Sequence, residues 1–297
     1  MAIKEFMNTK NPYYEFVESF SSMVQEGKNL PLGEIQPPPD SAVNPKAPKV
    51  AILSPHPDDE CVMGPLALRL KRETGSEIVN VPITLGSNPA RKEERKEELS
   101  KACKWIGFKI ENLHCGGLER ITPETRSKDP RHWENAVSQL IEVIHLLKPD
   151  ILFFPNANDW NLTHLGVHLL TYDSLNQIES TSITLIETEF WGQIKEPNLM
   201  VESSHEEVGD LVAALSHHKG EVTRNPFHLR LPSWMQDNVR RGAEVVGGQG
   251  GNAPEFDFAT LYRVSRMEKG KIYLPWKGGR LLGKAKLGER GILEVLK

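Results

Sequence analysis

The sequence predicts a doubly wound α/β protein built around a mostly parallel sheet. Three observations carry that expectation. Short apolar runs recur at 50–53, 78–84 and 151–154. Runs this short, apolar without alternation, are what strands buried on both faces look like. Amphipathic stretches of helical period separate them, and strand–helix alternation is the signature of parallel sheets. Two of the runs also end in segments crowded with histidine and acids, Ser54-Pro55-His56-Pro57-Asp58-Asp59-Glu60 and Asn158-Asp159-Trp160-Asn161-Leu162-Thr163-His164. Ligands of open α/β sheets bind beyond the carboxyl ends of the strands.

The elements follow in order. Phe16, Phe20 and Met23 recur at helical spacing, so residues 1–30 are expected to hold a helix. The prolines of 30–48 forbid a regular element and predict a strap over the surface. After the strand at 50–53, residues 62–73 read as an amphipathic helix. The strand at 78–84 leads to a charged helix over 91–106, with Ala102, Trp105 and Ile106 on its apolar side and Gly107 as its stop. Residues 134–147 form a further amphipathic helix ahead of the strand at 151–154. A helix begins near Thr163, and 182–189 is another strand. Beyond that, 206–221 and 233–244 read as helical, 245–254 as a Gly-rich loop, and the basic stretch from Lys269 as a solvated tail. The expected organisation is a single α/β domain over 49–268, preceded by the helix and strap of 1–48 and followed by the tail of 269–297.

Composition narrows the function. The 297 residues carry a net charge of −4, so there is no basic footprint for nucleic acid. No run approaches the roughly 18 apolar residues of a membrane span. The first residues lack the apolar core of a signal peptide, which leads us to expect a cytoplasmic protein. Three scattered cysteines, Cys61, Cys103 and Cys115, make neither a disulfide framework nor a cysteine zinc site.

The first motif places a histidine and three acids at one strand end. A divalent metal offsets such a charge cluster, and zinc takes imidazole nitrogen and carboxylate oxygen readily. His56 and Asp59 lie three residues apart on a turn entering a helix, so their side chains can converge. Asp58 then points toward a metal-bound water as its base, and Glu60 can orient a ligand from behind. The alternative is that these acids only favour a helix start. The position at a strand end, and the lack of a Gly-x-Gly-x-x-Gly turn there, favour the metal over a dinucleotide. In the second motif His164 and His168 share a helix face, and either can supply a third ligand.

These residues resemble a family. Ser54-Pro55-His56-Pro57-Asp58-Asp59-Glu60 is similar to the Ala-His-Pro-Asp-Asp-Glu signature of the PIG-L/LmbE-like deacetylases. Asn161-Leu162-Thr163-His164 stands where that family carries His-Pro-Asp-His. Thr84-Leu85-Gly86 resembles its Thr-x-Gly strand end, 95–107 its Arg-x-x-Glu helix, and 214–219 its Ala-Leu-x-x-His stretch. The likeness covers about 49–245. It implies a Rossmann-like single domain, a zinc ion on His56, Asp59 and His164, and Asp58 as general base. The implied substrate is an N-acetylglucosamine-type amino sugar or its conjugate. The resemblance also makes Arg95 and His218 candidates for substrate binding, and the family's habit of assembling leads us to expect a homo-oligomer. An Arg95 fork suits sugar hydroxyls, though a solvated helix charge is the other reading.

One departure matters. Asn161 replaces the family's first histidine of His-Pro-Asp-His. An asparagine donates a hydrogen bond to an oxyanion but no proton. Asp159, His168 or His218 are candidates to replace it, and Asp58 can shuttle the proton itself. The rival expectations are an amidase of a larger acyl conjugate and a metal-containing binding protein without turnover. A nucleotide-binding module fits poorly, because 247–251 lacks the Lys-Ser/Thr of a P-loop.

Overall fold

A computed structural model describes residues 11–114, 116–178, 182–284 and 288–297. Cys115 therefore lies outside the described residues. The chain opens with α1 (Tyr13–Gly27), followed by an irregular strap to β1 (Val50–Ser54). Then come α2 (Asp59–Val62), α3 (Leu66–Thr74), β2 (Ile78–Pro82), α4 (Lys92–Ile106) and β3 (Lys109–Ile110). The middle of the chain holds α5 (Pro123–Lys128), α6 (Pro130–Leu147), β4 (Ile151–Pro155), α7 (Leu162–Leu175) and β5 (Ser182–Thr188). The last third adds β6 (Leu199–Ser203), α8 (His205–Leu215), α9 (Lys219–Arg224), α10 (Leu231–Val245), β7 (Phe258–Glu268), β8 (Lys271–Tyr273), β9 (Arg280–Leu282) and α11 (Gly288–Val295).

One nine-stranded sheet orders the molecule as β3-β2-β1-β4-β5-β7-β6-β9, with β8 against β7. From β3 through β5 every pairing is parallel. β7 runs antiparallel to β5, β6 and β8. The fold is thus the mixed α/β domain with a mostly parallel sheet that the sequence predicts. Strand alternation divides its core. Val50, Ile52 and Phe153 face one layer with α3, α4 and α8, while Ala51, Leu53, Leu152 and Phe154 face α6 and α7. β1, β2 and β4 are buried on both faces, which is why their sequences show no alternation.

Three local expectations need correction, and two strands form where the sequence reading assigned no element. The helix expected at 62–73 is broken into α2 and α3, because Gly64 takes φ +91° where a Cβ would meet Thr260 and Tyr262. The stretch at 206–221 is likewise two helices, with a break at 216–218. The stretches at 199–203 and 258–268 are strands of the main sheet. The tail from Lys269 is not a solvated appendage: β9 pairs in parallel with β6, and Leu282, Ile292 and Leu296 are buried.

Three contacts anchor the strap. Trp105 Nε1 donates to the Ile35 carbonyl, Lys71 pairs with Asp40 at 2.7 Å, and the Asn44 amide donates to the Gly75 carbonyl. These anchors sit where α3 and α4 finish, so the strap closes the edge at which the chain enters β2 and β3. The N-terminal helix forms as expected, but none of its residues is buried. Among the described residues, no helix is long and apolar enough to cross a membrane.

Candidate metal and amide-hydrolysis site

β1 and β4 are neighbours, and the chain leaves them in opposite directions, toward β2 on one side and β5 on the other. Their carboxyl ends therefore form the switch point at which open α/β sheets bind ligands. The loops after them, 55–58 and 156–161, bring His56, Asp59 and His164 together. His56 Nδ1 and His164 Nε2 stand 3.2 Å apart. Asp59 Oδ2 is 3.5 Å from the first and 3.4 Å from the second, and the three ligand atoms all lie within 4.8 Å of one another.

Three local devices build this cluster. The His56 amide donates to Asp59 Oδ2 at 2.8 Å, which folds the turn onto itself. Thr84 Oγ1 donates to the Pro55 carbonyl at 2.7 Å and ties the end of β2 to the same loop. Asn161 caps α7, its Oδ1 accepting from the Thr163 amide at 2.9 Å, and this sets the first turn that carries His164. His164 is then held from behind. Its Nδ1 lies 3.1 Å from Asp159 Oδ2, its ring meets Phe190 edge to face, and it is fully buried.

The electrostatics suit a cation. Burial works against the Asp59 charge, yet the His164 and His56 imidazoles hold its carboxyl well below the usual range. Burial would lower His164, but Asp59 and Asp159 outweigh it and hold its pKa at about 10. Asp59 Oδ1 is buried with no hydrogen-bond partner. Two imidazole nitrogens and one carboxylate, whose second oxygen is buried and unpaired, fit the donor set of a catalytic zinc site, which uses three protein ligands and leaves a position open.

Asp58 lies beside this trio and is buried. Burial and the neighbouring Asp59 carboxylate push its carboxyl well above the usual range, and Arg95 opposes them. A carboxyl perturbed in this way is a candidate proton carrier. Arg95 Nη2 is 3.9 Å from Asp58 Oδ2 and donates to the Pro57 carbonyl at 3.0 Å. Gly86, at φ +85°, makes room for it, because a Cβ there would collide with Arg95 Nη1.

Two expected residues stand elsewhere. His168 Nδ1 donates to the Pro155 carbonyl at 2.9 Å, and its ring packs between Phe154 and Tyr172. It is outside the metal trio. His218 is only 1% exposed, and its Nε2 lies 2.7 Å from Glu60 Oε1, so it faces the protein interior and not a substrate. Among the residues around the site, sequence reasoning left Phe190, Trp191 and Glu221 unremarked. Trp191 donates its amide to Asp159 Oδ2, and Glu221 lies 3.9 Å from Arg95 Nη1. Each reaches the site from a distant segment, and no local pattern marks it.

The family model described as PIG-L: GlcNAc-PI de-N-acetylase matches residues 51–175. Over that stretch the chain is similar to the PIG-L family. The PIG-L match spans both histidine segments and Arg95, and it ends before His218. By its description this is a family of N-deacetylases, hydrolases of the amide bond on an N-acetyl amino sugar. No curated protein sequence matches the chain. Among solved structures, the N,N'-diacetylchitobiose deacetylase of Pyrococcus horikoshii is similar at 15% identity and a TM-score of 0.55, covering 89% of this chain and 96% of that one. A conserved protein of Thermus thermophilus is similar at 18% identity and 0.52, covering 77% and 99%. The 4-carboxy-2-hydroxymuconate hydratase GalB of Pseudomonas putida is similar at 16% identity and 0.53, covering 73% and 95%. These likenesses establish a shared fold. A hydratase and a deacetylase both use it, so the chemistry has to be read from the site.

Proposed function

We propose that this protein is a zinc-dependent N-deacetylase that removes the acetyl group from an N-acetylglucosamine-type amino sugar or its conjugate. The observation that carries this reading is the convergence of the His56 and His164 imidazoles on Asp59 Oδ2, with Asp58 alongside. An ion held by that trio supplies Lewis-acid polarisation of the amide carbonyl and makes water a better nucleophile at neutral pH.

The chain supplies the proton traffic. Asp58, its basicity raised by burial, takes a proton from the attacking water. As the carbon–nitrogen bond breaks, the same carboxyl returns that proton to the leaving amine, and acetate is the other product. Asn161 uses its side-chain oxygen to cap α7, which leaves Nδ2 to donate to the developing oxyanion. Arg95 braces the loop through the Pro57 carbonyl. Asp58 carries both transfers in this scheme, because Asn161 has no proton to give.

The surroundings support a sugar. Trp160 is 71% exposed and adjoins Asp159, while the half-exposed Trp191 donates its amide to the same aspartate. Exposed indoles next to a reaction site suit the apolar face of a pyranose ring. The test is acetate release from N-acetylglucosamine and from diacetylchitobiose. Turnover of either supports the reading, and cleavage confined to longer N-acyl conjugates refutes the acetyl specificity.

A further inference from the structure

Asp58 has the most unusual backbone of the site. Its φ of 116° with ψ −28° lies where residues bearing a Cβ rarely go. The other non-glycine residues with positive φ among the described residues sit at 47–62°, in the ordinary left-handed region. Such a conformation is unfavourable and persists only where its surroundings hold it.

The hold is visible. The Asp58 amide donates to Glu60 Oε2 at 3.0 Å, and the Asp58 carbonyl accepts from the Cys61 amide at 3.1 Å. Glu60 is fully buried. Its second oxygen, Oε1, lies 2.7 Å from Nε2 of His218, a residue 158 positions away at the start of α9. Glu60 Oε2 accepts from the Asp58 amide and Oε1 also accepts from the Cys61 thiol, so Glu60 is the acceptor of this pair and His218 Nε2 the donor. Its Nδ1 is buried without a partner, so the Glu60 bond is the polar contact that orients the ring. A relay therefore runs from His218 through Glu60 to the Asp58 backbone.

We propose that His218 is a positioning residue of the hydrolysis. It fixes the Glu60 carboxylate, Glu60 fixes the strained Asp58 backbone, and the strained backbone aims the Asp58 carboxyl at the reacting water. This rests on the deacetylase reading. The relay explains why a histidine fully removed from solvent stands here, and why a glutamate follows the two aspartates. Glu60 and His218, together with Cys61, are also close enough to one another to hold a cation. The relay instead spends His218 Nε2 on Glu60, and it predicts a single metal per chain.

The test uses the full zinc-loaded protein and four variants: His218→Met, which fills the space without a donor; His218→Gln, whose amide nitrogen can donate to Glu60; Glu60→Ala; and the His218→Met/Glu60→Ala double variant. The expected result for His218→Met is one zinc per chain, unchanged KM and a kcat lower by about 10- to 100-fold, the scale of a misplaced reacting group. His218→Gln is expected to regain most of the loss, and the double variant to be no slower than Glu60→Ala alone, since both act on one relay. Hydrogen exchange at the Asp58 amide is expected to quicken in His218→Met and to slow again in His218→Gln. This last readout needs no substrate. A wild-type protein that releases no acetate would sink the deacetylase reading, while exchange would still decide whether His218 holds Asp58. Unchanged kcat and exchange in His218→Met would overturn the proposal. So would a second zinc in the wild type that His218→Met removes.

Discussion

Asp159 Oδ2 stands 3.1 Å from His164 Nδ1, on the side of the ring away from Nε2, the nitrogen that joins His56 and Asp59. The imidazole is thereby held by a carboxylate at one nitrogen while the other is offered to a cation. Partners of this kind fix the tautomer of a ligand and raise its basicity. Asp159→Asn is expected to weaken zinc binding by roughly 10- to 100-fold. Competition with a chromophoric chelator measures it, and an unchanged affinity would contradict the assigned role.

Asp58→Ala is expected to keep one zinc per chain and to lower kcat by about 10²- to 10⁴-fold, the usual worth of a general acid–base group. Steady-state acetate release alongside elemental analysis separates the two effects. Wild-type turnover in this variant would refute Asp58 as the proton carrier.

Asn161 has two tasks that one substitution can separate. Serine caps helices about as well as asparagine. Asn161→Ser is therefore expected to leave the unfolding midpoint nearly unchanged while lowering kcat by roughly 10²- to 10³-fold, as loss of an oxyanion donor does. Loss of stability without loss of rate would reduce Asn161 to its cap.

In metal-stripped protein His164 titrates at about 10, against an ordinary value of 6.5. A raised histidine pKa contributes stability that is present below the unfolded value and lost as pH rises through the folded one. Urea midpoints of the stripped protein are expected to fall between pH 6.5 and about 10, and His164→Gln is expected to lack that slope. Zinc must displace the same proton, so its affinity is expected to strengthen with pH across this window. A rising midpoint in the stripped protein would contradict the assignment.

Trp160→Ala is expected to raise KM for diacetylchitobiose about fivefold with little change in kcat, as the loss of one ring contact would. Thermal stability should not move, because the indole is already in solvent. An unchanged KM would remove Trp160 from substrate contact.

β1, β2, β4 and β5 were legible because each is a largely apolar run. The convergence of His56, Asp59 and His164 was legible because His56 and Asp59 share one turn and His164 opens one helix. The role of His218 was not, since its partner Glu60 lies 158 residues away and an interior histidine reads like a surface one. The last strand escaped for a different reason. β9 is three residues long, sits among glycines, and owes its place to pairing with Leu199–Val201. Long-range pairing of that kind leaves little periodicity to read. Gly86 shows the reverse case. Its place in a short motif was plain, but only the approach of Arg95 explains why a glycine is needed there.

The central claim is that His56, Asp59 and His164 hold the ion on which amide hydrolysis depends. The most direct measurement is zinc content by elemental analysis, read together with acetate release from N-acetylglucosamine and diacetylchitobiose before chelation, after it, and after zinc is restored. The account predicts about one zinc per chain, loss of acetate release on chelation and recovery on reconstitution, with none of this in His164→Ala. A protein that releases acetate equally well when stripped of metal, or that binds no zinc, would contradict it.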